Sequence, residues 1–170
     1  MAKAVFFKFI LIAALFAALP AVGLAQTSAA SQVSEFEVNG LKVLIKRRPS
    51  SPTVAGGLFI KGGAANLTDR TQGIENLMVT SAVEAGSKFS RQTVRRELSR
   101  TGSNIAASSG KDFGVYSVTT TRPNFDRIWE IFANVVMEPA FAEEDVARNR
   151  SLMLAQLRES ETSPESALQV

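Results

Sequence analysis

The fold prediction depends most on the segment Ala55-Gly56-Gly57-Leu58-Phe59-Ile60-Lys61-Gly62-Gly63-Ala64-Ala65. Residues 53–61 are rich in glycine and apolar side chains, and they predict a strand that ends at the Gly62-Gly63 pair. Beyond a short loop, between Gly73 and Gly86, apolar residues recur at the spacing of an amphipathic helix. These residues are Ile74, Leu77, Met78, Ala82 and Ala85. The sequence therefore predicts a unit in which a glycine-rich strand is followed by an amphipathic helix.

The segment before this unit predicts a β-hairpin. Apolar and polar residues alternate over residues 36–38 and again over residues 41–45, and Asn39-Gly40 lies between them. An Asn-Gly pair in this position favours a type I′ turn, because both central residues of that turn need positive φ angles. The sequence therefore predicts two antiparallel strands joined at Asn39-Gly40, with ordered structure beginning near Glu35.

The segment after the unit predicts a second helix and a second hairpin. Ser90 is a typical residue before the first turn of a helix, and Gly102 is typical just after the last turn. The hairpin has predicted arms at residues 103–108 and 113–121, and its predicted turn is Ser109-Gly110-Lys111. The second arm is rich in β-branched residues, which favour strands.

Two more helices are predicted toward the end of the chain. One begins at Asn124 and stops at Pro139, and the other covers residues 143–159. The inward positions predicted for the last helix are Val146, Met153 and Leu157. Strands and helices in this mixed order predict an α+β fold in which helices pack on one face of a largely antiparallel sheet.

The N-terminus has the pattern of a secretory signal peptide. Lys3 and Lys8 precede an apolar run at residues 9–19, and small residues follow as far as Ala25. The run is shorter than the roughly 20 residues that span a bilayer, so we expect cleavage after Ala25 and no stable membrane span. Residues 26–34 are rich in Ser, Ala and Gln without an apolar period, and we interpret them as a flexible lead-in.

Residues 35–170 are then expected to form the first part of one exported domain, with a bacterial periplasm as the expected compartment. Ser163-Pro164-Glu165 has the pattern of a helix start, and we interpret the chain as a fragment for that reason. Removal of two signal lysines from 19 basic residues leaves 17, against 16 acidic residues. This balance and the absence of a basic face argue against a nucleic-acid partner.

The composition excludes the common catalytic sites within this chain. It contains no histidine and no cysteine, so we predict no catalytic residue and no metal ligand. The acidic run Glu143-Glu144-Asp145 opens a predicted helix, where it complements the helix dipole, and we do not interpret it as a pair of catalytic carboxylates. With no disulfide available, stability must come from a packed core.

The strand, the glycine-containing turn and the helix after Gly73 together resemble the start of the pitrilysin/insulinase family of metallopeptidases. That family carries the motif H-x-x-E-H on this helix. Here Asn76 stands at the first zinc histidine, Val79 at the general-base glutamate and Thr80 at the second histidine. Gln156, 80 positions after Asn76, stands at about the place of the family's glutamate ligand. The resemblance covers residues 35–165 and implies a member that has lost its zinc site.

For such a member, the resemblance implies a noncatalytic subunit that forms a chamber and binds peptide for an active zinc peptidase as heterodimer partner. Zinc is expected only in that partner. The family's peptide-binding edge strand falls on Asn104, Ile105, Ala106, Ala107 and Ser108. Asn104 lies one place before the asparagine common in the family. Two alternatives stay open: an active peptidase whose catalytic residues lie outside these 170, and a stand-alone exported scaffold or peptide-binding protein.

Overall fold

The structure is a computed structural model that describes residues 33–162, with the side chains described as far as residue 160. The predicted signal peptide, residues 26–32 of the predicted lead-in and the predicted helix start at Ser163 lie outside these residues. The described chain divides between Ser51 and Pro52 into two compact units.

The first unit is a hairpin of strands β1 (Val33–Val38) and β2 (Leu41–Lys46). The strands are antiparallel, with Val38 opposite Leu41. Asn39 and Gly40 have φ angles of 50° and 84°, as a type I′ turn requires, so the predicted hairpin is confirmed. Strand β1 begins two residues before Glu35, which shortens the lead-in relative to the predicted 26–34.

The second unit contains a three-stranded antiparallel sheet. Its strands are β3 (Thr53–Lys61), β4 (Asn104–Ser109) and β5 (Phe113–Thr121), and β5 lies in the middle. The predicted turn at 109–111 is one residue early. Gly110 N donates to Phe113 O at 2.9 Å, which places Lys111 and Asp112 at the tip of the hairpin and Ser109 in β4.

Four helices complete the second unit: α1 (Ile74–Ala82), α2 (Arg91–Thr101), α3 (Phe125–Met137) and α4 (Glu143–Thr162). The predicted caps of α2 are confirmed, since Ser90 Oγ accepts from Thr93 N and Gly102 has a φ of 61°. Helix α1 is shorter than the predicted 73–86. After α1 the chain turns, and Gly86 N donates to Phe89 O at 2.9 Å.

The core lies between one face of the sheet and the helices. Sheet residues with side chains on that face include Leu58, Ile105, Tyr116 and Val118, and they pack against apolar residues of α1, α2 and α3. The helical core residues are Val79, Ala82, Val94, Ile128, Ile131, Phe132 and Val135. The predicted α+β class, with helices on one face of a largely antiparallel sheet, is therefore confirmed.

One predicted core position of α4 is wrong. Leu157 is 56% exposed, whereas Met153 reaches to within 3.6 Å of where a Cβ on Gly73 would lie. Gly73 immediately precedes α1, so Met153 lies level with the start of that helix. Leu157 lies one turn further along α4, beyond the start of α1, and α1 therefore does not cover it.

Candidate functional site

Helix α1 presents two different environments at the positions of the zinc motif, since Asn76 and Thr80 are half-buried and Val79 is buried. Val79 is 2% exposed and belongs to the core cluster. Thr80 is half-buried, and its hydroxyl donates to the carbonyl oxygen of Asn76 at 2.6 Å. An aliphatic side chain cannot accept a proton, and an amide and a hydroxyl are not the His or Cys side chains that hold zinc. The residues present at this place therefore do not fit a catalytic zinc ion.

The fourth inferred ligand position lies on α4. Gln156 is exposed and carries a neutral amide. Helices α1 and α4 pack antiparallel, and buried Asn149 Nδ2 donates to buried Ser81 Oγ at 3.2 Å. Within residues 33–162 no three His, Cys, Asp or Glu side chains are grouped as metal ligands would be. The contact between the two helices at this level is an uncharged hydrogen bond.

Strand β4, where the peptide-binding residues are predicted, lies at an edge of the three-stranded sheet. Gly110 and Phe113 form the hydrogen-bonded pair nearest the tip of the hairpin. Because hydrogen-bonded and non-hydrogen-bonded pairs alternate in an antiparallel ladder, the direction of every backbone group follows. Three residues turn their backbone groups toward β5: Asn104, Ala106 and Ser108. The alternate residues turn their N–H and C=O groups to the open side: Ile105, Ala107 and Ser109.

Among the described residues, no other strand pairs with this open side of β4. All five predicted edge residues lie on the strand, but only Ile105 and Ala107 among them present outward backbone groups. Ser109 is the third such residue and was missed, because the turn was placed one residue early. The glycine at 110, which begins the turn, is the signal that would have found it.

The end of the β4–β5 hairpin is clamped to α1 and β3. Both carboxylate oxygens of Glu75 accept from Gly63 N, at 3.0 and 2.8 Å. The residues on either side of Gly63 bond to the hairpin tip, since Gly62 N donates to Asp112 O and Ala64 N donates to Gly110 O. Glu75 therefore holds the edge strand in place through the backbone, and its oxygens are already engaged.

The electrostatics of this region affect Tyr116, on β5. Burial raises the pKa of the Tyr116 phenol above its usual value, and the negative charge of Glu75 raises it further. Tyr116 is 6% exposed and forms part of the core. At neutral pH the phenol is therefore held in its uncharged form.

A second polar cluster ties the end of α1 to the starts of α2 and α4. Arg91 Nε lies 2.8 Å from Glu84 Oε2 and 3.2 Å from Asp145 Oδ1. Arg148 also bonds to Asp145, and this bond raises the pKa of the Arg148 guanidinium. Asp145 is 2% exposed, so its role is not limited to the predicted dipole complement. Because guanidinium groups pair with both carboxylates, the cluster joins helices rather than forming an acid–base pair.

An apolar groove of about 320 Å³ opens between α1 and the start of α4. Its lining residues are Ile74, Leu77, Met78, Ser81, Phe141 and Val146. Successive helical residues are about 100° apart, so Ile74 and Met78 lie about 200° around the helix from Asn76 and Thr80 respectively. The groove is therefore separate from the zinc-motif face.

Among the helices of the described residues, none combines the length and the apolar character that a bilayer-spanning helix requires.

The comparisons with known proteins agree on one family. The model of the family described as Insulinase (Peptidase family M16) matches residues 42–170. A Rickettsia felis protein named "Uncharacterized zinc protease" is 24% identical over 130 residues, which are 76% of this chain and 32% of that protein. The "Mitochondrial-processing peptidase subunit alpha" of Solanum tuberosum is 25% identical over 130 residues, 76% of this chain and 26% of that protein.

Solved structures agree on the fold. A structure described as the peptidase M16 inactive domain from Pseudomonas fluorescens superposes with a TM-score of 0.71 at 20% identity, covering 79% of this chain and 33% of that one. The chain spans about a third of the length of this structure and of the Rickettsia felis relative.

Proposed function

The chain belongs to the insulinase family, peptidase family M16, and from that membership we propose that it is a noncatalytic member that holds peptide for a separate zinc-bearing homologue. The observation that carries the proposal is Val79. At the position of the general base stands an aliphatic side chain that packs in the core. The similarity to a structure described as an inactive domain of the same family supports the proposal.

Peptide binding is assigned to the open edge of β4. An extended peptide adds to an exposed strand through main-chain hydrogen bonds and needs no catalytic side chain. Ile105, Ala107 and Ser109 supply the outward N–H and C=O groups, and the Glu75–Gly63 clamp holds the hairpin that carries them. The proposed site therefore uses backbone groups that survive the loss of the zinc motif.

The proposed partner is an active zinc peptidase of the same family in the same compartment. Similarity to proteins named as alpha and beta subunits of the mitochondrial processing peptidase supports a pairing of related subunits. The signal-peptide pattern supports export, and we propose a bacterial periplasm. Zinc belongs to the partner in this proposal.

The test combines the full-length protein with a zinc-bearing family member from the same organism. Cleavage of quenched fluorescent peptides is measured for each protein alone and for the mixture. We expect this protein to be inactive alone and to raise the partner's rate in the mixture. Cleavage by this protein alone would place an active site elsewhere in the full-length chain, and no effect on any partner would favour a stand-alone scaffold.

A matched pair of variants locates the peptide. Ala107→Pro removes an outward N–H of β4 without removing a hydrogen bond to β5, so it blocks strand addition at this edge. Ala55→Pro is the control at the opposite edge. Gly62 N donates to Asp112 O and Arg122 N donates to Pro52 O. The even-numbered residues of β3 therefore turn their backbone N–H and C=O groups toward β5, and those of Ala55 point away from it. We expect only Ala107→Pro to abolish the rise in cleavage.

A further inference from the structure

The side chains of β4 indicate which peptides its open edge would accept, an inference that rests on the function proposed above. Residues 106–109 are Ala-Ala-Ser-Ser, so the strand carries only small side chains along this stretch. Ala106 and Ser108 lie on the face away from the helices, and Ala107 and Ser109 lie on the helix-covered face, where both are half-buried. The side chains of β4 are therefore short on both faces next to the open edge.

The two strands of this hairpin carry no charge of their own, although the nearby Glu75 carboxylate acts on Tyr116 of β5. Neither β4 nor its partner β5 contains a charged residue. Ala107 packs against the apolar core cluster, and Ile105, on the same face, is 8% exposed. A side chain placed next to Ala107 would therefore meet no charged residue of β4 or β5, and the negative charge of Glu75, already bonded to Gly63 N, would repel a carboxylate.

A strand that pairs with β4 brings its side chains to about 4.5–5.5 Å from those of β4, measured between Cβ atoms. Opposite small residues, a bulky apolar side chain removes more apolar area from water than a small one. A charged side chain in the same place loses hydration without gaining a partner.

We propose that the β4 edge selects extended peptides with bulky, uncharged side chains at alternate positions, where they lie beside Ala107 on the helix-covered face. The selectivity comes from the space left by alanine and serine and from the absence of charge on β4 and β5.

The experiment measures the binding of fluorescently labelled eight-residue peptides to the full-length protein by anisotropy. The peptides carry Phe, Thr or Asp at alternate positions, and Thr is the comparator because it favours strands as Phe does but is smaller and polar. We expect the Phe peptide to bind about tenfold more tightly than the Thr peptide, and the Asp peptide to bind most weakly.

Two variants assign the selectivity to a face. Ala107→Val fills the space on the helix-covered face and should reduce the preference for Phe over Thr. Ser108→Val places the same side chain on the other face and should leave that preference unchanged. Equal effects of the two variants would overturn the assignment to Ala107.

The peptide series also separates this inference from the function on which it rests. Equal affinity for the Phe and Thr peptides would overturn the selectivity and leave peptide binding intact. If none of the three peptides binds, both the peptide-holding role and the selectivity are overturned.

Discussion

Val79 is the residue that distinguishes helix α1 from a helix with a general base at the same position. The resemblance places Val79 where the family has a glutamate, and the structure adds that Val79 belongs to the core. Thr80, the next residue, is half-buried and hydrogen-bonded to its own helix. Residues 79 and 80 therefore differ in how they would tolerate a charged side chain.

We expect Val79→Glu to lower the free energy of unfolding by about 3 kcal/mol, because a carboxylate in the core loses its hydration without gaining a partner. Thr80→Glu, at the half-buried neighbour, is the control and should cost less than about 1 kcal/mol. Urea denaturation of both variants measures the difference. Equal losses would show that residue 79 is not a core position.

Gly63 offers a second test at the scale of one residue. Its φ is +92°, and a Cβ there would lie 2.5 Å from Lys111 O. We expect Gly63→Ala to reduce the free energy of unfolding by about 3 kcal/mol through strain and steric overlap. Gly102 has a φ of +61° and nothing within 4 Å, so Gly102→Ala isolates the strain and should cost about 1 kcal/mol. A smaller loss at 63 than at 102 would contradict the described clamp.

Tyr116 is the only tyrosine in the chain, so the absorbance of tyrosinate reports the ionisation of this one side chain. Its pKa is raised in the folded state, chiefly by burial. The stability contributed by its neutral form is therefore present below the unfolded-state pKa of about 10 and is lost as pH rises through the folded-state value. Absorbance titration near 295 nm should show ionisation at higher pH in the native protein than in urea. Identical titrations in both states would refute the burial of the phenol.

At the scale of elements, most helices and strands were predictable because their signals are local. The Asn39-Gly40 turn, the Ser90 cap and the Gly102 end are each decided by a few residues and are confirmed. The hairpin turn at 110–112 was misplaced, since its position depends on hydrogen bonds to the distant loop after β3. The exposure of Leu157 could not be predicted either, because it depends on where α1 begins.

Local sequence patterns could not predict the cluster around Asp145 either. Its partners Arg91 and Glu84 come from other elements, and only folding brings them together. We expect Asp145→Asn to lower the Tm by about 5 °C, because Arg91 and Arg148 lose a buried counter-charge. Glu144→Gln, at the exposed neighbour in the same turn of α4, should change the Tm by less than about 1 °C. Thermal unfolding followed by circular dichroism measures both, and similar shifts would argue against a joining role for Asp145.

At the scale of the whole molecule, the α+β class and the family follow from the order of elements and from the stretch at 55–80. The identities of Asn76, Val79 and Thr80 predict a helix without the zinc motif. The packing of Val79 and the outward backbone groups of Ile105, Ala107 and Ser109 could not be predicted, because they depend on the rotation of a helix and the register of a hairpin. The chain spans about a third of its Rickettsia felis relative, so peptide holding and the zinc-bearing partner are proposals about the complete protein.

The most direct test of the noncatalytic assignment is the zinc content of the isolated full-length protein, measured by mass spectrometry after equilibration with zinc and gel filtration, with peptide cleavage assayed on the same sample. If the noncatalytic assignment is correct, we expect zinc far below one ion per chain and no cleavage. Stoichiometric zinc together with cleavage that a chelator abolishes would contradict it.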